Sequence, residues 1–220
     1  MKHTDGFRGN SIILEPAINV YSREEYIRRI GLVKNLAKIV QFDVIDGIFA
    51  QPGNFNDPRI IFHELDSSKV HLHFMVNDTM REIKKWIVYH PKRITLHIES
   101  PDFSEKQIEI LKAERIGVGL ACVPSTPLEK LVPFLDKVDF ILVLSVPPGR
   151  NGQKFSHNTF KRVHALRVKF PKVTLGVDGG IGQQQIRSLV DAGVSSIAIG
   201  SAIFDGDARS NFEKFSAILR

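Results

Sequence analysis

One cysteine, Cys122, stands among 220 residues, so no internal disulfide can form and a reducing cytoplasm is the expected home. Its plain reading is a small core residue near a strand end. The chain has no run of about 18 apolar residues, so a membrane-spanning helix is not expected. The opening residues MKHTDGFRGN lack the apolar core of a secretory signal. Residues 1–10 are expected to be a flexible extension of a single domain covering 1–220. A concentrated basic stripe is also missing. The formal charge is +6, but Arg28-Arg29, Lys84-Lys85 and Lys92-Arg93 lie in separate segments with acids between them. Nucleic-acid surfaces gather such residues with aromatics; a diffuse positive field suits a small phosphorylated metabolite. No Gly-x-Gly-x-x-Gly follows the first strand, which weakens a dinucleotide-binding reading.

What the chain does have is alternation. Strand-like segments fall at 11–18, 38–44, 69–75, 93–99, 116–122, 138–146, 173–178 and 195–200. Most are β-branched or nearly continuously apolar, as parallel strands buried on both faces should be. Between them lie amphipathic stretches at 22–36, 77–90, 126–137, 156–170 and 182–193, a helix starting near Asp57-Pro58 and a last helix in the tail. Ser22, Asn77 and Thr126 are candidate N-caps, and Pro127 fits a first helical position. The pattern predicts an α/β fold, a (β/α)8 barrel in one domain.

Such barrels place their chemistry at the C-terminal ends of the strands. There, strand two ends in Asp43 and Asp46 of VQFDVIDG. His73, His97, Glu99 and Asp178 end three further strands. Each alone is readily a turn former or a satisfied histidine; together they mark one mouth. Glycine-bearing segments end the last two strands: DGGIG with Gly179 and Gly180, and GSAIF with Gly200 and Ser201. Barrels frequently hold phosphate at this place, where glycine allows close backbone approach. The loop PPGRNGQKF at 147–155 is long enough to close over a ligand.

The segments EPAI, FDVIDGIF, HLHFMV, ITLHIE, PPGRNGQKF, VDGGI and AGVSSIAIGSAIF, in this order, resemble the ribulose-phosphate 3-epimerase family. The resemblance implies a usually oligomeric barrel that interconverts D-ribulose 5-phosphate and D-xylulose 5-phosphate. Asp43 and Asp178 match the two catalytic aspartates. Inverting carbon 3 requires removing a proton from one face and returning one to the other, which two carboxyl groups can do. The family commonly uses a divalent metal (zinc, manganese, iron, cobalt or magnesium) held by two aspartates and two histidines. Asp43, Asp178 and His73 match three of these ligands, and Gln41 stands at the fourth. An amide oxygen is a poor replacement for imidazole on zinc, so a different, weaker or absent metal is implied. For substrate contacts the resemblance points to His73, Met75, Gly149, Gly152, Gly179, Gly180, Gly200 and Ser201. Ala17 replaces a family serine, with Asn19 nearby, and Arg150 and Asn151 replace the usual aromatic and glycine of the loop. Ile45 and Leu144 stand where methionines are usual. Asp46 looks like a turn acid.

A phosphorylated ketose and further copies of the chain are the implied partners, with neither nucleic acid nor membrane. Two other readings stay open. One is a 3-epimerase for a different, for example six-carbon, ketose phosphate. The other is a non-catalytic barrel that binds a sugar phosphate. A related decarboxylase or aldol-type synthase would want a lysine beside the strand-two acids, and the nearest, Lys38, lies toward the strand's start.

Overall fold

A computed structural model describes residues 12–219. The expected extension at 1–10 lies outside the described residues. The order is β1 (Ile13–Ile18), α1 (Arg23–Val33), β2 (Val40–Ile45), α2 (Pro58–Glu64), β3 (Val70–Met75), α3 (Thr79–Trp86), β4 (Arg93–His97), α4 (Glu105–Ala113) and β5 (Gly117–Cys122). It continues with β6 (Phe140–Leu144), α5 (Asn158–Lys169), β7 (Thr174–Asp178), α6 (Gln183–Asp191), β8 (Ser196–Ile199), α7 (Ser201–Phe204) and α8 (Ala208–Ile218). All eight strands are parallel and close into a barrel in sequence order, with β8 pairing β1. The predicted (β/α)8 architecture is the observed one.

Local chemistry sets the helix starts. Ser22 caps α1 by accepting from the Glu25 N–H at 3.2 Å, and Asp57 caps α2 ahead of Pro58. The cap of α3 is Asp78, one residue beyond the expected Asn77, whose N–H instead donates to Asp46. Residues 128–134 form a 3-10 helix where an amphipathic helix was expected over 126–137. Pro133 inside that segment has no N–H and its ring crowds the preceding turn, so an α-helical ladder cannot run through it. The free Thr126 hydroxyl donates to Glu99 rather than capping a helix. Helix α4, led by Ser104 and Gln107, was not singled out from sequence.

Strand side chains alternate between the helix layer and the lumen. Outward residues such as Leu72, Phe74, Leu96 and Ile141 join one buried apolar cluster with the helices. At roughly 1.5–3 kcal/mol per buried large side chain, this layer supplies most of the driving force. Cys122 belongs to it, and burial pushes its thiol up to about 11, as a core residue requires.

Candidate active site

The inward residues of β2, β3 and β4 are polar and stand in register. Gln41 pairs with His71 and Asp43 with His73, which pairs with Thr95. The lower layer is a closed network. Glu15 accepts from Arg93 at 2.8 Å and meets His71 at 2.7 Å, and His71 meets Thr95 at 2.7 Å. Burial would raise the Glu15 carboxyl, but Arg93 and His71 outweigh it and hold the acid ionised. The Arg93 guanidinium lies 3.6 Å over the Phe140 ring, which closes the floor.

Above this floor the strand-end groups converge. Asp43 from β2 and Asp178 from β7 meet from opposite walls. Gln41 Nε2 joins them, donating to Asp43 Oδ1 at 3.0 Å and to Asp178 Oδ2 at 2.7 Å. His73 Nδ1 lies 3.2 Å from Asp43 Oδ1 and 3.7 Å from Asp178 Oδ2. Burial first, and the nearby Asp43 charge second, push Asp178 up to about 7. It therefore can carry a proton near neutrality, a condition general acid catalysis needs.

Asp43, His73 and Asp178 offer ligand atoms within 4.8 Å of one another, a set that fits a divalent cation. Gln41 is different. Its N–H2 faces the acids, and its Oε1 is buried without a partner. An amide nitrogen has no lone pair for a metal, so in this orientation the fourth corner is a donor and not a ligand. The fit is to three protein ligands.

A cavity of about 260 Å³ opens above the acids. Every residue the sequence points to for substrate lines it: Ala17, Asn19, His73, Met75, Gly149, Arg150, Asn151, Gly152, Gly179, Gly180, Gly200 and Ser201. Leu144 lines it too, whereas Gln41 lies fully buried beneath. Among the described lining residues, Arg150 is the one lysine or arginine. Gly179 and Gly180 have φ of +108° and +63°, and a Cβ on Gly180 would meet the backbone of Gln153 and Phe155. Only glycine lets the strand-six loop lie against this turn.

Asn19 does more than replace a serine. Its Nδ2 donates to the Gly149 carbonyl at 3.2 Å, and its own carbonyl accepts from Asn151 at 3.1 Å. Asn54, which sequence reasoning passed over in a Pro- and Gly-punctuated loop, donates to Asn19 Oδ1 and to the Asp43 carbonyl. Asp46 is the expected turn acid, accepting from the N–H groups of Ile48, Phe49 and Asn77. No signal beyond the Asn residues themselves could have shown this latch in advance.

The model of the ribulose-phosphate 3 epimerase family matches residues 13–204, from β1 to the end of α7. The chain belongs to this family. A ribulose-phosphate 3-epimerase of Schizosaccharomyces pombe is 33% identical over 132 residues, 60% of this chain and 58% of that protein. The cytoplasmic isoform of Oryza sativa subsp. japonica is 30% identical over 200 residues, 88% of this chain and 85% of that protein. Among solved structures, 3-hexulose-6-phosphate synthase from Salmonella typhimurium superposes with a TM-score of 0.71 at 15% identity, over 94% of this chain and 98% of that one. At that identity the likeness shows the barrel alone. No helix among the described residues is long and apolar enough to cross a membrane.

Proposed function

We propose that the chain is a 3-epimerase that converts D-ribulose 5-phosphate to D-xylulose 5-phosphate. The observation that carries this reading is the approach of Asp43 and Asp178 from opposite walls to one point, bridged by a single amide nitrogen. A sugar carbon above that point has one carboxyl on each face. The ionised aspartate takes the carbon-3 proton, which the neighbouring carbon-2 carbonyl acidifies. The protonated aspartate returns a proton to the other face, and the roles reverse for the back reaction. Asp178, pushed up to about 7 by burial and the Asp43 charge, suits the proton-returning half of this exchange.

The glycine turns at 179–180 and 200 with Ser201 receive the phosphate, and Arg150 at the rim adds positive charge. A divalent ion held by Asp43, His73 and Asp178 would supply charge to the enediolate oxygens. Gln41, turned donor-first, makes that ion weakly bound, and a Gln41→His variant should bind zinc at least about tenfold more tightly by calorimetry. The reading extends to a cytoplasmic homo-oligomer, as the family resemblance implies.

The test is to incubate the protein with D-ribulose 5-phosphate and follow the sugar by NMR. Appearance of D-xylulose 5-phosphate supports the reading. Conversion of a six-carbon ketose phosphate alone would move the substrate and keep the chemistry. Tight binding of ketose phosphates with no conversion of any would overturn it in favour of a non-catalytic barrel.

A further inference from the structure

Behind His73 runs a chain of contacts that the proposed reaction does not use. His73 Nε2 lies 3.0 Å from Nε2 of His97, and His97 Nδ1 lies 2.9 Å from Glu99 Oε2. The two rings are nearly parallel, 5.1 Å apart at 23°, and His97 is fully buried with Phe49 against it at 4.9 Å. Two ring nitrogens at hydrogen-bond distance share one proton: one donates and the other accepts. The direction of this chain therefore fixes which nitrogen of His73 carries hydrogen.

We infer that Glu99 and His97 are positioning residues that hold His73 in the tautomer with hydrogen on Nε2 and the Nδ1 lone pair facing Asp43 and Asp178. Glu99 sets the direction. Its Oε1 accepts from the Val123 N–H at 3.0 Å and from the Thr126 hydroxyl, leaving Oε2 to accept from His97. Burial alone would raise its pKa, but the hydrogen bonds of His97 and Thr126 outweigh this and hold the carboxyl ionised. An ionised Glu99 is an acceptor only, so His97 donates from Nδ1 and accepts at Nε2. The hydrogen of His73 then lies on Nε2, and Nδ1 is bare. The reverse direction needs a proton on Glu99 or a second proton on His97, which full burial opposes, and would drive an N–H of His73 into the acid pair.

The consequence is chemical. A bare Nδ1 can ligate a cation or accept from whichever aspartate carries the proton; an N–H there can do neither. The importance of this for turnover rests on the proposed epimerase reading, while the tautomer itself does not.

Nitrogen-15 NMR of histidine-labelled protein, assigned with a His73→Gln variant, reads the tautomer directly. The expected result is a pyridine-type Nδ1 and a pyrrole-type Nε2 at His73. The companion variants are His97→Leu, which has no polar atom, and His97→Gln, whose Oε1 can accept from His73 while its Nε2 donates to Glu99. His97→Leu should lower kcat and divalent-cation affinity about 10- to 100-fold with little change in KM, and His97→Gln should restore most of that loss. A pyrrole-type Nδ1 in the wild-type protein overturns the inference, as do Leu and Gln variants with equal kcat. If no ketose phosphate turns over, the NMR arm still decides the tautomer, so the two failures are told apart.

Discussion

Strands β2 to β4 and strands β5 to β7 build facing walls of one lumen from opposite kinds of side chain. In the first wall the inward positions are Gln41 and Asp43, His71 and His73, Thr95 and His97, and all are buried. In the second they are Gly119, Ala121, Phe140, Leu142, Leu144 and Gly176, apolar up to Asp178 at the end of β7. The Phe140 ring occupies the space that a side chain on Gly176 would fill, and Thr95 from the polar wall occupies the space beside Gly119. Parallel strands buried on both faces usually read as unbroken apolar runs. A period of two within such a barrel, as in VQFDV and VHLHF, marks the wall that carries the chemistry. The other wall is packing.

Substitutions can break this comparison in order of effect. Asp43→Asn or Asp178→Asn should lower kcat by about a thousand- to ten-thousand-fold, or about 4–5.5 kcal/mol of barrier, with an unchanged circular dichroism spectrum. Activity that survives either change would end the assignment of two acids. Glu15→Ala, at the floor of the polar wall, leaves Arg93 and His71 buried without their acceptor. Chemical denaturation should show a loss of about 3–5 kcal/mol. Leu142→Ala, on the apolar wall, should cost about 2–4 kcal/mol of stability through a cavity while kcat stays near wild type.

Acid sharpens the contrast further. Burial first, and Arg93 second, lower His71 to about 4 from an ordinary 6.5. Between those values the unfolded chain binds a proton that the folded chain refuses. Stability is therefore retained above pH 6.5 and lost as pH falls toward 4, by up to about 3 kcal/mol. Over the same range Asp178, raised to about 7, gains stability and His97, also lowered to about 4, loses it. The His71 share is therefore read as the difference in urea midpoint between wild type and a His71→Gln variant from about pH 7 to 4, a difference Leu142→Ala should not alter.

The alternation of segments made the barrel legible in the sequence, and the strand-end rule gathered Asp43, His73, Asp178 and the glycines at one mouth. What stayed hidden depends on contacts made across the fold. Thr126 looked like a helix cap because it precedes Pro127, yet Pro133 breaks that helix and Glu99 claims the hydroxyl. The amide of Gln41 could be ranked as a poor ligand from its type, but not oriented: the two carboxylates that turn its N–H2 inward come from β2 and β7. Asn54 carried no local pattern, because its partners Asn19 and Asp43 lie on other loops and strands.

The central claim is that two carboxyls serve opposite faces of one carbon. Turnover of D-ribulose 5-phosphate in deuterated water measures it, with the product examined by NMR before equilibrium. Because the returning acid exchanges with solvent, the account predicts deuterium at carbon 3 of the D-xylulose 5-phosphate formed. Product that keeps the original hydrogen at carbon 3 would contradict it.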